Sequence, residues 1–144
     1  MKQLFIIPLI LVVQFGIAQD CKKCNIDALK KLSRNFEDLN HEIVKQFVCT
    51  FDSSCNTNIE FSQWSNELIF TLIEEDISLL NGALHELGYN YVLLIANEIE
   101  SPVIEVDYLK IYSIIKNALG PKDIILAEKE AIKKAAAKAG IQLK

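Results

Sequence analysis

The sequence predicts an all-α protein: a single compact bundle of five or six mostly antiparallel helices that follows a cleaved signal peptide. Three observations carry this expectation. Apolar residues recur at steps of three and four, most clearly at Ile26, Leu29, Leu32, Phe36, Leu39, Ile43 and Phe47. Helix-opening Asn or Asp residues precede such stripes, and Gly or Pro residues follow them. The links between stripes are short, two to about eight residues, which makes successive helices antiparallel neighbours.

Residues 1–18 read as a secretory signal peptide. Lys2 supplies a positive start, and Leu4 to Phe15 is an apolar run interrupted only by Pro8 and Gln14. Gly16-Ile17-Ala18 then places small residues where a signal peptidase reads. The run is shorter than the ~20 residues of a membrane span. Asp20 before Cys21 argues against a lipoprotein. Cleavage after Ala18 leaves residues 19–144 as a single helical domain, which suits a chain of 144 residues. The expected location is periplasmic or secreted.

Along that domain, Asn25 caps a first helix that the apolar stripe extends without a break to residue 48. Asp52-Ser53-Ser54-Cys55-Asn56-Thr57-Asn58 is turn chemistry. A second helix covers Phe61 to Glu75, with Phe61, Trp64, Leu68 and Leu72 on one face. Asp76 caps a third, with Ile77, Leu80, Leu84 and Leu87 inward, and Gly88 suits its left-handed C-terminal position. A fourth runs from Tyr91 to Ile99 and stops at Ser101-Pro102. Residues 102–106 form a short extended piece with no obvious partner strand. Asp107 caps a fifth helix (Tyr108 to Leu119), which Gly120-Pro121 closes. Asp123 caps an alanine-rich sixth that ends at Gly140.

Four cysteines in an exported chain predict two disulfides. An unbroken helix over 26–48 holds its ends about 33 Å apart, whereas a disulfide needs Cα atoms within ~7 Å. Cys24 and Cys49 flank that helix, so the expected pairs are Cys21–Cys24 and Cys49–Cys55. A four-cysteine zinc site fails on the same distance. Cys21-Lys22-Lys23-Cys24 has the spacing of a thiol-exchange motif, but no βαβ pattern accompanies it. It reads as a structural clasp.

The sequence shows no catalytic constellation. His41 lies on the polar side of its helix. His85-Glu86-Leu87-Gly88 lacks the second His of a zinc-protease helix. Neither a nucleophile elbow nor a glycine-rich phosphate loop is present. The expectation is a protein without enzymatic activity, cofactor or metal.

Charge is distributed unevenly. Between Gln46 and Leu109 there is no Lys or Arg, while eleven Asp and Glu residues occur there. The C-terminal segment 110–144 carries eight Lys against three acids. Loss of Lys2 with the signal leaves 14 basic and 19 acidic residues, a net charge of −5. This balance disfavours nucleic acid as the ligand, and no second apolar span predicts stable membrane insertion. Acidic and basic helices packing side by side would account for much of the pattern. An uncovered part of the acidic middle would instead steer a cationic protein into contact. The residues expected to contribute are Glu74, Glu75, Asp76, Tyr89, Tyr91, Glu98, Glu100, Glu105 and Asp107. The last four surround the Pro102 loop, and exposed loops often carry function.

A small, acidic, exported helical chain with paired cysteines, its signal ending Gly-Ile-Ala-Gln, resembles the periplasmic immunity proteins that neutralise cell-wall-attacking toxins of neighbouring bacteria. The likeness lies in size, address, charge and helix content, and no site residue is carried over from it. Insect chemosensory and odorant-binding proteins share those properties, but their cysteine spacing differs from C-x2-C-x24-C-x5-C. The resemblance implies an immunity or inhibitor protein that occludes a basic toxin or enzyme. The alternative is a carrier that encloses an apolar molecule or lipid among Phe61, Trp64, Leu68, Leu72, Leu84 and Val92.

Overall fold

The computed structural model describes residues 21–143, so the expected signal peptide at 1–18 lies outside the described residues. Within them the protein is all-helical, with six α-helices and no strand. Helix α1 (Ile26–Arg34) opens at Asn25, whose side chain accepts from the Asp27 N–H at 3.1 Å. It ends at Asn35, whose amide donates to the Lys31 carbonyl at 2.6 Å and so competes with the backbone for that acceptor. A 3₁₀ turn follows at Phe36–Asp38, and α2 (His41–Val48) starts afresh. Its N-cap is Asn40, which accepts from the Ile43 N–H at 3.1 Å.

The single helix expected over 26–48 is therefore two helices folded back as a hairpin, across which Lys31 donates to Gln46 at 2.7 Å. Phe36 and Leu39 still pack against the core from within the turn. The apolar period thus runs through the break and conceals it.

That turn overturns the expected cysteine pairing. With the helix broken, its ends meet: Cys21 bonds Cys49 and Cys24 bonds Cys55, at Cα separations of 5.4 and 5.3 Å. The Cys24 N–H also donates to the Thr50 carbonyl at 2.9 Å. A short 3₁₀ segment, Ser53–Thr57, brings Cys55 to this position. Two disulfides of this kind are typical of proteins that fold in an oxidising environment.

Helix α3 (Ile59–Leu87) is capped by Asn58, which accepts from the Phe61 N–H at 3.1 Å. It bends at Asp76, where the backbone is non-helical (φ −157°, ψ 82°). The Asp76 carboxylate accepts from the N–H groups of Ser78 and Leu79 at 3.0 and 3.1 Å, so it caps the second half as expected. Gly88 (φ 96°, ψ 172°) adopts an extended, positive-φ conformation that is open essentially to glycine alone. The chain turns there directly into α4 (Tyr89–Glu100), two residues earlier than the sequence suggests.

Helix α5 (Tyr108–Lys116) is capped by Asp107, whose carboxylate accepts from the Lys110 N–H at 3.0 Å, and it stops short of Leu119. Helix α6 (Lys122–Lys138) follows Pro121. Asp123 is thus not the cap but a first-turn residue, where it still favours the helix dipole. Gly140 (φ 78°) closes α6, with its N–H on Ala137 and that of Ile141 on Ala136.

Residues 102–106 form a loop and not an extended piece. Helix α4 lies antiparallel to α3 and parallel to α6. Val92 meets Ile124 at one end of the α4–α6 pair, and Glu100 meets Lys134 and Lys138 at the other. Phe47, Phe51 and Phe61 stack edge to face at 5.2 and 5.8 Å, joining the α1–α2 hairpin to α3. None of the helices among the described residues is long and apolar enough to cross a membrane.

Candidate functional site

The structure disperses the acidic residues singled out from the sequence, and several are engaged inside the molecule. Glu74 receives Lys110 at 2.7 Å, which raises the lysine's pKa. Glu100 receives Lys138 at 3.0 Å and Lys134 at 3.3 Å, and these hydrogen bonds, Lys138 first, lower its pKa. Asp76 and Asp107 are capping residues. Glu75 and Glu105 are exposed. Glu86 accepts from both Lys45 and His41, the latter at 2.7 Å. His41 is thus tied across the hairpin to α3, not merely solvated. Acidic α3 and α4 are neutralised where basic helices cross them.

Glu98 has a different role. Half buried at the end of α4, it accepts from the Asn66 amide at 2.9 Å, and burial raises its pKa against the pull of that hydrogen bond. Asn66, itself fully buried on α3, also donates to the Glu98 carbonyl at 3.0 Å and accepts from the Val103 N–H at 3.0 Å. One amide thereby pins the start of the loop at Ser101 and Val103. Sequence reasoning passed over Asn66, although a lone Asn just before the apolar run Leu68-Ile69-Phe70 is a readable signal.

The two tyrosines separate. Tyr89 is exposed. Tyr91 instead accepts at its hydroxyl from the Lys23 ammonium at 2.7 Å, and that ammonium lies 4.8 Å from the ring centroid. Lys23 also donates to the carbonyls of Cys49 and Phe51, at the C-terminal end of α2. Tyr91 therefore locks the disulfide-bonded segment onto α4.

A groove remains where the fixed loop meets the start of α3. The apolar Trp64, Val103 and Ile104, with Gln63 and the carboxylates Glu60 and Glu67, line it around a volume of about 500 Å³. Val103 is 54% exposed even though its backbone is anchored. Among the described residues neither Glu60 nor Glu67 has an ion-pair partner. These two carboxylates lie at positions i and i+7 around Trp64, but the expected helix begins at Phe61, which leaves Glu60 outside it, and Trp64 was expected on the inward face that would enclose an apolar molecule. The remaining residues of the carrier expectation, Phe61, Leu68, Leu72, Leu84 and Val92, are packed together in the core.

A second unforeseen feature lies inside the bundle. Glu128 of α6 is 1% exposed, and burial pushes its carboxyl up to about 8. The Asn81 amide of α3, oriented to donate, lies 2.9 and 3.3 Å from its oxygens. Gly120 packs against Asn81 so tightly that a Cβ there would lie 3.1 Å from the Asn81 Cβ. Among the described residues no group of His, Cys, Asp and Glu is arranged to hold a metal. Comparisons with known protein families, curated proteins and solved structures found no match to this chain.

Proposed function

We propose that this protein is an exported, non-catalytic binding protein, an immunity or inhibitor protein of the periplasm or the secreted fraction. It neutralises a basic toxin or enzyme by receiving a cationic segment of it in the Glu60–Glu67 groove. The observation that carries this reading is selective compensation. Lysines from α2, α5 and α6 cover Glu86, Glu74 and Glu100, whereas the carboxylates beside the exposed Val103 and half-exposed Trp64 are left open. An aromatic side chain among carboxylates suits a protein contact: the apolar residues supply affinity, and the charges supply steering and selection.

The test replaces Glu60 and Glu67 together by Lys. A basic partner captured by the wild type at low salt, and released as salt rises, should associate about tenfold or more slowly with the E60K/E67K variant. Undiminished capture by that variant rejects the groove. The charge-reversed variant at Glu98, Glu100 and Glu105 is the poorer test, because two of those residues hold the fold together through Asn66 and α6.

A further inference from the structure

We infer that this protein associates with itself head to tail, the outer face of α6 in one copy seating in the Glu60–Glu67 groove of the next. The inference uses the groove's chemistry but requires no foreign partner, so it goes beyond the function proposed above. The two faces carry one pattern with opposite charge. On α3 the order is Glu60, Gln63, Trp64, Glu67; on α6 it is Lys122, Ile125, Leu126, Lys129. Each set occupies positions i, i+3, i+4 and i+7, so each presents two like charges about 10.5 Å apart along a helix with bulky side chains between them. Two carboxylates thus face two ammonium groups at matching spacing, and Ile125 and Leu126 fall opposite Trp64, Val103 and Ile104.

Both faces are left unpartnered within one copy. Leu126 is 57% exposed, and among the described residues neither Lys122 nor Lys129 has an ion-pair partner. The two faces cannot meet within one chain. The start of α6 packs near Leu84, Gly88 and Val92, while the groove lies at the far end of α4, beside Asn66 and Ser101. The 12 residues of α4 separate them by about 18 Å. Since groove and ridge are different surfaces, the contact is heterologous, and copies add in series unless their rotation closes a ring.

The experiment measures mass by sedimentation across micromolar to millimolar purified protein at low salt, with the emission of Trp64, the sole tryptophan, as a second readout. The expected result is a mass that rises with concentration, a blue shift of Trp64, and loss of both at high salt. E60K/E67K and K122E/K129E should each weaken association by about tenfold or more. An equimolar mixture of the two should restore it, because every contact between unlike variants pairs opposite charges; restoration also shows that both variants are folded. A single-chain mass at every concentration overturns the inference. So does association that neither variant weakens, or a mixture that restores nothing. A monomer whose α6 face instead binds phosphatidylglycerol vesicles overturns it in favour of a lipid surface. Capture of a basic partner that E60K/E67K loses and K122E/K129E keeps bears on the proposed function alone, so the two readings fail separately.

Discussion

Glu128 enters the core from α6 with the Asn81 amide beside it, and a carboxyl raised to about 8 keeps its proton at neutral pH. The unfolded chain would release that proton near the ordinary value of 4.5. Stability contributed at this position is therefore complete below pH 4.5, falls as pH rises, and levels off once the folded carboxyl ionises above pH 8. The loss by pH 7 is on the order of 3 kcal/mol. Glu128→Gln, which mimics the protonated form, should raise the unfolding midpoint at pH 7 to 8, change it little at pH 4, and flatten the intervening slope in urea titrations. Asn66 makes the complementary case for an amide. Asn66→Ala strands the Val103 N–H and frees the Glu98 carboxylate, and should cost roughly 2–4 kcal/mol. Hydrogen exchange at Val103 should accelerate before global unfolding does.

At the scale of elements, the α1–α2 hairpin shows where periodicity misleads. Phe36 and Leu39 keep the three-and-four spacing although they lie in a turn, because a tight reversal can present the same core face that a continuous helix would. The readable signs of the break were Asn35 and Asn40, two residues that terminate and reopen helices through their own side chains. Asn40→Ala should destabilise the fold by about 1 kcal/mol, measurable by urea unfolding. Disulfide connectivity follows from the same turn. Mass spectrometry of a non-reduced digest should recover Cys21 joined to Cys49 and Cys24 joined to Cys55. Replacing Cys24 and Cys55 together by Ser should cost about 2–4 kcal/mol, since both bridges close loops of 28 to 31 residues. By contrast Asn25, Asp76 and Asp107 act where a local reading places them, because capping depends on neighbours within one turn, whereas Gly88 ends its helix at the expected place but in an extended positive-φ conformation and not the left-handed one.

Across the whole molecule, the uneven charge of the sequence resolves into internal compensation at Glu74, Glu86 and Glu100 and exposed acids that include the pair beside the Trp64 groove. The fold sets Lys110, Lys134 and Lys138 against Glu74 and Glu100, so much of the acidic middle serves packing. Reversing Glu98, Glu100 and Glu105 to Lys should lower the thermal midpoint by several degrees, since it breaks the Asn66 junction and sets a positive charge at position 100 against Lys134 and Lys138. Reversing Glu60 and Glu67 should lower that midpoint less, because Glu67 is exposed and unpaired and Glu60 contributes only through the dipole at the first turn of α3. Parallel thermal scans of the two variants separate the charges that hold the fold from those available for binding.

The sequence by itself determined the helical class, most helix boundaries and the identity of the cysteines that form disulfides. Each depends on residues close together in the chain: apolar period, capping side chains, cysteine count. Tertiary structure alone decided which cysteines meet, which acids are neutralised, where Asn66 and Glu128 find their partners, and which acids remain open around Trp64. These outcomes depend on how helices far apart in sequence cross, and such crossings follow from the packing of the whole core, which no local pattern specifies.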